Sequence, residues 1–352
     1  MMDLPAQPRI LVINVTRIGD TLLTTPVLRA LARHWPGAKI TFAGHRKRAE
    51  VMQNLDFVER VSHISKRTAP FVRLLARSRY DLAVVFGNDE PLIRYARACA
   101  DRVIAARQDD AALNRELDWM GCADEYKPQH AVTHLLCMLR PLRIKPDGFH
   151  LSYRVRASEA QWADAQLAAR RIAGVPLLGL QIASFPTKAF RDWPTDHFRR
   201  LCLTLGEMNP DLRFLVFGGP TDQQRADELC KALGGTALSV AGQLSLRQTA
   251  ALMDKLALYV GVDTGPTHIM GALHRPMVAM YHPTSPSRVL APLGHPCCIA
   301  VDHPLAAGGA DIETPMAEIS VATILDSVER AFAGRFDPPH QTEWDDYQAS
   351  LN

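Results

Sequence analysis

Four stretches of the sequence place polar side chains just after an apolar run, where a parallel sheet presents groups to a ligand. The first, residues 16–21 (TRIGDT), follows the apolar run 9–15. Gly19 permits a tight turn, and Asp20 then stands where a carboxylate accepts a proton from a bound hydroxyl. Asp is also a preferred N-cap residue, so Asp20 has two interpretations, a general base or the cap of a following helix.

The second stretch, residues 263–268 (DTGPTH), also follows an apolar run. Gly265 lets the backbone approach a ligand closely, and Pro266 suits the first turn of a helix. The free N–H groups at such a helix start bind anions, so Asp263, Thr264 and Gly265 predict a phosphate site. The alternative interpretation is an ordinary capped helix.

The remaining two stretches carry cations and a further carboxylate. Residues 184–194 place a hydroxyl and two cations beyond the end of an apolar run, and phosphates bind such groups: Thr187, Lys188 and Arg191. Asp222 follows another apolar run at the start of a predicted helix. It either accepts hydrogen bonds from a ribose diol or caps that helix.

Several common motifs are missing from the sequence. It contains no GxGxxG, GxxxxGK[ST], HExxH or GxSxG, which argues against a Rossmann dehydrogenase, a P-loop NTPase, a zincin and an α/β-hydrolase. It also contains no Asp-x-Asp tripeptide. A nucleotide-dependent transferase built from this chain is therefore expected to hold phosphates with backbone amides, helix ends and side chains rather than a carboxylate-bound metal.

Apolar runs alternate with helix-like stretches along the chain, which predicts an α/β fold with parallel strands joined by crossover helices. The runs are continuously apolar, as in strands buried on both faces of a sheet. The predicted strands are 9–15, 39–44, 58–64, 80–87, 102–106, 177–183, 214–219, 237–241, 258–262 and 277–281. The predicted helices are 20–34, 130–142, 158–173, 195–208, 221–233, 245–256, 266–273 and 316–333.

The length of 352 residues and the restart of the strand rhythm predict two doubly wound domains. We place the first at residues 1–165, the second at 166–335 and a tail at 336–352. No run approaches the roughly 18 apolar residues of a membrane span, and the N terminus lacks a leader pattern, so a cytoplasmic location is expected. Seven cysteines without CxxC spacing are expected to be core thiols.

Charge is unevenly distributed along the chain. Residues 1–155 carry 24 Lys and Arg against 16 Asp and Glu, whereas the remainder carries 16 against 21. Clustered cations favour an anionic partner such as a phosphorylated lipid or a membrane, although a solvated face has the same pattern. Without aromatic interleaving or a known motif, nucleic acid is not expected. The candidate acceptor-binding cations are Arg46, Lys47, Arg48, Arg73, Arg77 and Arg79.

Taken together, the four stretches resemble the heptosyltransferase family of glycosyltransferases over roughly residues 9–330. The most specific pieces are residues 10–20 with Pro26, RDWP at 191–194, GGPTD at 218–222, and 262–268 continuing to Ala272, Pro276, Pro283 and Thr284. The resemblance implies a GT-B fold, in which two Rossmann-like domains face each other across a cleft. It also implies inverting transfer of heptose from ADP-heptose to a lipopolysaccharide core acceptor, without a metal or other cofactor.

The resemblance implies a role for the acidic and cationic residues. Asp20 matches the family's catalytic aspartate, which deprotonates the acceptor hydroxyl, and Asp222 matches its ribose-binding acid. Asp263 begins the family's Asp-Thr-Gly at the donor sugar and diphosphate. Members often have a lysine two residues before the tryptophan, where this chain has Arg191, so Lys188 and Arg191 are rival ligands of the diphosphate.

Two further residues have open interpretations. His268 matches a family histidine but also suits a hydrogen-bonded structural role in the first turn of an apolar helix. Leu244 either contacts the adenine or belongs to the core.

The implied partners are a nucleotide-sugar donor, an anionic glycolipid acceptor and the inner face of a membrane, which the chain would contact peripherally. The alternatives are a family member with another nucleotide sugar or acceptor, a nucleotide-sugar epimerase, and a catalytically silent nucleotide-sugar binding protein. An epimerase needs no large basic acceptor face, and a silent binder makes no use of Asp20.

Overall fold

The computed structural model describes residues 4–74, 80–121 and 130–337. The chain forms two compact units that divide between Arg154 and Val155. Each is a parallel sheet covered by helices, so the expected α/β fold with two doubly wound units is confirmed. None of the helices formed by the described residues is long and apolar enough to span a membrane.

The first unit, within the described residues, contains a sheet of six parallel strands in the order β3-β2-β1-β4-β5-β6. The strands are β1 (Arg9–Asn14), β2 (Lys39–Gly44), β3 (Arg60–His63), β4 (Tyr80–Val85), β5 (Ala100–Ala106) and β6 (Trp119–Gly121). The helices are α1 (Ile18–Leu22), α2 (Thr25–His34), α3 (Ala69–Leu74), α4 (Glu90–Cys99), α5 (Ala111–Asn114) and α6 (Ala131–Leu136), with 3₁₀ turns at Ala49–Met52 and Cys137–Leu142.

The second unit repeats this topology in the part that the structure describes, with six parallel strands in the order β12-β11-β10-β7-β8-β9. The strands are β7 (Leu177–Gln181), β8 (Arg213–Phe217), β9 (Ala237–Ser239), β10 (Leu258–Val262), β11 (Met277–Tyr281) and β12 (Cys298–Asp302). The helices are α7 (Ala157–Ala169), α8 (Thr195–Met208), α9 (Gln223–Leu233), α10 (Leu246–Met253), α11 (Gly265–Leu273), α12 (Ser287–Leu290) and α13 (Val321–Phe332), and 3₁₀ turns lie at Pro186–Arg191, Pro220–Asp222, Gly234–Thr236 and Met316–Glu318.

The central strands are the most apolar, because helices cover both of their faces. In the second unit, β7, β10 and β11 are buried along their whole length. Chain order reverses between β1 and β4 in one sheet and between β7 and β10 in the other. Ligand sites of doubly wound sheets lie at the carboxyl ends of the strands beside such a reversal.

The predicted single helix over 20–34 is wrong, because two helices, α1 and α2, occupy this segment. Pro26 has no N–H and cannot continue a helical hydrogen bond. The hydroxyls of Thr24 and Thr25 instead donate to the carbonyls of Thr21 and Leu22, at 2.6 and 2.7 Å. The break leaves α1 as a separate five-residue helix that carries Asp20.

Other differences lie at edges and ends. The predicted helices over 130–142 and 316–333 each divide into an α-helix and a 3₁₀ turn. Two edge strands, β6 and β12, are additional to those predicted. The predicted domain boundary at residue 165 falls inside α7. In the structure all of α7 belongs to the second unit, where its Glu159 pairs with Arg247 at 2.6 Å.

A histidine in the second unit is held neutral by burial. His295 is 1% exposed, its ring stacks on His274 with centroids 5.5 Å apart, and its Nδ1 accepts the N–H of Cys297 at 3.1 Å. Burial, and then the neighbouring His274, lower the pKa of His295 from 6.5 to about 3.

This burial predicts an acid-sensitive contribution to stability. Below about pH 6.5 the unfolded chain protonates at His295 while the folded chain does not, so stability falls as pH falls, by up to about 1.4 kcal/mol per pH unit. His295→Asn keeps an acceptor for the N–H of Cys297. We expect this variant to reduce the pH dependence of the free energy of unfolding, measured by urea denaturation between pH 6 and pH 4. The exposed His34→Asn is the control, and parallel pH profiles for wild type and His295→Asn would contradict the prediction.

Candidate active site

The chain-order reversal in the second unit brings two of the predicted stretches side by side. Gln181 near the end of β7 pairs with Gly261 near the end of β10. The loop that carries Lys188 and Arg191 and the turn that begins at Asp263 therefore leave neighbouring strands at the same edge of the sheet. This is the position that a doubly wound sheet offers to a nucleotide.

The carboxylate of Asp263 lies between a cation and an imidazole. Asp263 is buried, and its Oδ2 is 2.5 Å from Nη1 of Arg191. Its other oxygen, Oδ1, is 3.4 Å from Nε2 of His268. His268 is also buried, so it lies beside the predicted phosphate site rather than facing solvent.

The guanidinium of Arg191 contacts the turn after β10 and the loop after β11. Nη1 donates to Asp263, Nη2 donates to Ser285 Oγ at 2.8 Å, and the buried Nε has no hydrogen-bond partner among the described residues. Ser285 was not among the predicted residues, because only the fold brings it beside Arg191. Both terminal nitrogens of Arg191 thus already donate within the protein.

Lys188 is the less committed of the two rival cations. Its Nζ lies 5.3 Å from the centroid of the Phe190 ring, and in the described part of the chain it forms no hydrogen bond or ion pair. Thr187, its neighbour, is exposed. The ammonium of Lys188 is therefore available to an anion, whereas Arg191 must share its guanidinium with Asp263.

Residues that the sequence analysis missed hold this loop in place. The backbone N–H of Ser184 donates to Asp192 Oδ1 at 2.7 Å, and Arg225 from α9 donates to Asp192 Oδ2 at 2.9 Å. Trp193 is fully buried, and its Nε1 donates to the carbonyl of Ile319 at 2.8 Å. The tryptophan of the RDWP motif is the only sequence feature that indicates this anchor.

Hydrogen bonds to β10 hold the start of α11 in place. The hydroxyl of Thr267 lies 2.8 Å from the Tyr259 hydroxyl and donates to the carbonyl of Val262 at 2.5 Å. Thr264, the N-cap residue, and Gly265, the first helical residue, are partly exposed. The first turn of α11 thus presents its free amide end at the same edge of the sheet as Lys188.

Asp222 follows β8 and forms a local cap. Its Oδ2 accepts the N–H of Gly219 at 2.8 Å. Gly242 has φ +69°, and a Cβ there would lie 2.9 Å from Pro220 Cα, so only glycine allows the two turns to approach each other this closely. Leu244, two residues further on, is half-buried.

In the first unit, Asp20 lies at the matching reversal, between β1 and β4. Asp20 is exposed, and its Oδ2 accepts the N–H of Arg17 at a long 3.3 Å. Buried Asn14, the last residue of β1, organises the loop: its Oδ1 accepts the N–H of Thr16 at 3.0 Å, and its Nδ2 lies 3.3 Å from the Asp20 carbonyl. A polar residue ending an apolar strand is the sequence feature that indicates this role.

A cavity of about 390 Å³ opens beside Asp20 within the first unit. Residues from the ends of β1 and β4 and from α6 line it. They include Asn14, Thr16, Asp20, Phe86, Asn88 and His134. Asp20 thus combines a weak capping bond with access to a space large enough for a ligand group.

The candidate acceptor-binding cations differ in their surroundings. Arg46, Lys47 and Arg73 are exposed. Arg48 is half-buried and donates to the carbonyls of Thr16 and Val15, at 2.8 and 3.3 Å, which supports the loop of Asp20. Arg77 and Arg79 lie outside the described residues.

Across the described ranges, no three His, Cys, Asp or Glu side chains come together in a way that could hold a metal ion. At the edge of the second sheet, Lys188, Arg191 and the start of α11 lie beside the carboxylate of Asp263, and cations and helix starts suit an anionic ligand.

Two Rossmann-type units, one with cations and a helix start at the carboxyl edge of its sheet and the other with an accessible carboxylate at the matching edge, are typical of GT-B glycosyltransferases. A family model described as glycosyltransferase family 9 (heptosyltransferase) matches residues 99–303. The chain therefore belongs to the heptosyltransferases of glycosyltransferase family 9 and is a glycosyltransferase, as the sequence indicated.

Individual proteins agree with this assignment. The chain is similar to lipopolysaccharide heptosyltransferase 1 of Escherichia coli K12, at 25% identity over 80% of this chain and 90% of that protein. In structure it resembles a family 9 glycosyl transferase from Veillonella parvula, with a TM-score of 0.79 and 19% identity over 93% and 97% of the two chains. It also resembles E. coli ADP-heptose lps heptosyltransferase II, with a TM-score of 0.75 and 18% identity over 93% and 99%. The GT-B fold is thereby confirmed.

The ion pair at the site predicts a measurable loss of stability. Arg191→Ala leaves the buried carboxylate of Asp263 without its cation, and breaking a buried pair in this way costs about 3 kcal/mol. Chemical denaturation should show that loss in the free energy of unfolding. Arg199→Ala removes an exposed pair with Asp196 and is the control, with an expected loss of about 0–1 kcal/mol. Equal losses in the two variants would contradict this account.

Proposed function

We propose that this chain is an inverting heptosyltransferase that transfers heptose from ADP-heptose to a lipopolysaccharide core acceptor. Family membership supports a heptosyl donor and a lipopolysaccharide acceptor in general. The observation that carries the proposal is the meeting of Lys188, Arg191, Asp263 and the start of α11 at one edge of the second sheet. A nucleoside diphosphate needs such a set of cations and free amides.

The donor's diphosphate would bind between Lys188 and the first turn of α11, near Thr264 and Gly265. Negative charge grows on the diphosphate as it leaves, and preorganised donors at that position stabilise the transition state. Arg191, released in part from Asp263, would add a second cation. In this proposal Asp263 turns from its ion pair towards hydroxyls of the donor sugar.

The nucleoside part of the donor would bind further along the same edge. Asp222 keeps its Oδ1 for a ribose hydroxyl while Oδ2 caps the turn, so the two interpretations of this residue are compatible. Half-buried Leu244 would contact the adenine. Thr187, exposed beside Lys188, would donate its hydroxyl to a phosphate oxygen.

The acceptor would bind to the first unit, where Asp20 removes a proton from the attacking hydroxyl. The hydroxyl oxygen then forms a bond to the anomeric carbon as the bond to ADP breaks from the opposite face. Exposed Arg46, Lys47 and Arg73 supply positive charge for an anionic glycolipid. Arg48 acts by holding the loop of Asp20.

Release of ADP tests the proposal directly. A transferase releases free ADP only when ADP-heptose and the acceptor glycolipid are both present, and the reaction proceeds with a chelator because the proposed phosphate ligands are side chains and amides. An epimerase isomerises the donor without acceptor, and a silent binder releases nothing. Either of those results, or activity that disappears with a chelator, would overturn the corresponding part of the proposal.

Replacement of the proposed base predicts a specific kinetic effect. Asp20→Asn keeps the size of the side chain and an acceptor for the N–H of Arg17 but removes its basicity. Because general-base catalysis typically contributes about 10²–10⁴ in rate, we expect kcat to fall by that factor while ADP affinity is unchanged. Asp56→Asn, at an exposed acidic position of the same unit, is the control. Nearly full turnover by Asp20→Asn would leave Asp20 as a helix cap.

Replacement of the less committed cation predicts an effect on donor affinity. A charge-assisted hydrogen bond to phosphate contributes about 1.5–3 kcal/mol, so Lys188→Ala should weaken ADP binding by roughly tenfold or more. Calorimetric titration of ADP measures the change, with the exposed Lys231→Ala as a matched control and Arg191→Ala as the rival. Wild-type affinity in both Lys188→Ala and Arg191→Ala would remove the proposed diphosphate site.

A further inference from the structure

One short helix of the first unit exposes large apolar side chains to solvent. In α3, Phe71 is 73% exposed, Leu74 is 78% exposed and Val72 is 41% exposed. Phe71 and Leu74 are three residues apart, so they lie on the same face of the helix. Exposed apolar side chains that cluster in this way, rather than singly, mark interaction surfaces.

The start of this helix is fixed by hydrogen bonds and by packing. Ser65 and Thr68 bond to each other at its start, where each backbone N–H donates to the other's hydroxyl, at 3.0 and 3.2 Å. Ala69, in the first turn of α3, is buried in the core of the first unit. The apolar side chains thus project from a helix whose start is anchored.

Positive charge surrounds these side chains. Lys66 and Arg67 precede α3 and are exposed, and Arg73 lies between Val72 and Leu74 and is exposed as well. Only Lys66 has an acidic partner in the described part of this surface, Asp89 at 3.1 Å. An apolar face with a cationic border is complementary to a bilayer of anionic lipids, whose head groups attract the cations and whose acyl region accepts the apolar groups.

The topology places this helix at the same edge of the sheet as Asp20. The segment of α3 follows β3, the segment of Arg46 and Lys47 follows β2, and the segment of Asp20 follows β1. These strands are parallel neighbours in the order β3-β2-β1, so all three segments leave the same edge. A surface bound at α3 would therefore lie on the side of the first unit from which the acceptor reaches Asp20.

We infer that α3 docks this protein on an anionic phospholipid bilayer, with Phe71 and Leu74 inserted among the lipids and Lys66, Arg67 and Arg73 against the phosphates. The inference deepens the proposed function, because it rests on that function for the nature of the acceptor, a glycolipid anchored in the same bilayer. The lipid surface itself is recognised through its charge and its apolar interior.

Sedimentation with vesicles tests the docking without the reaction. We expect the full chain to bind vesicles of phosphatidylglycerol and phosphatidylethanolamine but not vesicles of phosphatidylcholine alone. Because burial of one large apolar side chain changes partitioning by about tenfold or more, Phe71→Ser and Leu74→Ser should each weaken binding by at least that factor. Arg67→Glu with Arg73→Glu should weaken it further in low salt and less in high salt.

Matched controls come from the second unit. Ile312 is 61% exposed, comparably to Phe71, but stands between Asp311 and Glu313, so Ile312→Ser should leave vesicle binding unchanged. Arg200→Glu with Lys231→Glu makes the same change in net charge as the arginine pair and should have a smaller effect. Equal thermal unfolding midpoints for wild type and the α3 variants show that the substitutions leave the overall fold intact.

Three results would overturn the inference: no binding to the anionic vesicles, binding unaffected by Phe71→Ser and Leu74→Ser, or self-association that these substitutions abolish, which would make α3 a contact between copies of the chain. Transfer to a water-soluble, deacylated acceptor separates docking from the proposed function. Phe71→Ser should leave that turnover unchanged but slow transfer to vesicle-bound acceptor. Absence of transfer by the wild type with intact vesicle binding would overturn the proposed function alone.

Discussion

The ion pair between Arg191 and Asp263 determines the arrangement of the second unit's ligand edge. Its two members come from loops after different strands, and the third partner, Ser285, comes from a loop after β11. A buried carboxylate is costly without a cation, so the loop of Arg191 is held against the turn before α11. The same pair leaves Lys188 with its charge uncommitted, which divides the two cations into one that organises the edge and one that is open to a ligand.

At the corresponding place in the first unit, hydrogen bonds to the backbone hold the loop of Asp20 instead of an ion pair between side chains. Buried Asn14 at the end of β1 forms hydrogen bonds with the backbone of the turn that follows, and Arg48 donates to the carbonyls of Val15 and Thr16 in the same turn. Asp20 is thereby positioned without an ion pair to its own carboxylate among the described residues. The proposed base needs a carboxylate that is held in place but not neutralised, whereas the proposed diphosphate site needs cations, and the two edges differ accordingly.

The features of the fold that depend on a local pattern of residues could be predicted from the sequence. Strands β2, β10 and β11 have the predicted bounds, because each is a short apolar run between turn residues. The edge strand β6 has only three residues and no pattern of its own, so it forms through pairing with β5. Contacts such as Arg225 with Asp192 were not predictable, because they join segments that only the tertiary fold brings together. For the same reason the sequence left Lys188 and Arg191 as equals.

The strand order of each sheet has a consequence for how the protein is assembled. The half of the sheet formed by β7, β8 and β9 is continuous in sequence, as is the half formed by β10, β11 and β12, and within the sheet the two halves pair along the seam between β7 and β10. Arg191 and Asp263 lie on opposite sides of this seam, and their ion pair joins the two halves. The ion pair can therefore form only after residues of both halves have been synthesised. A ligand bound there ties the halves together and stabilises the complete fold over any form in which they have parted.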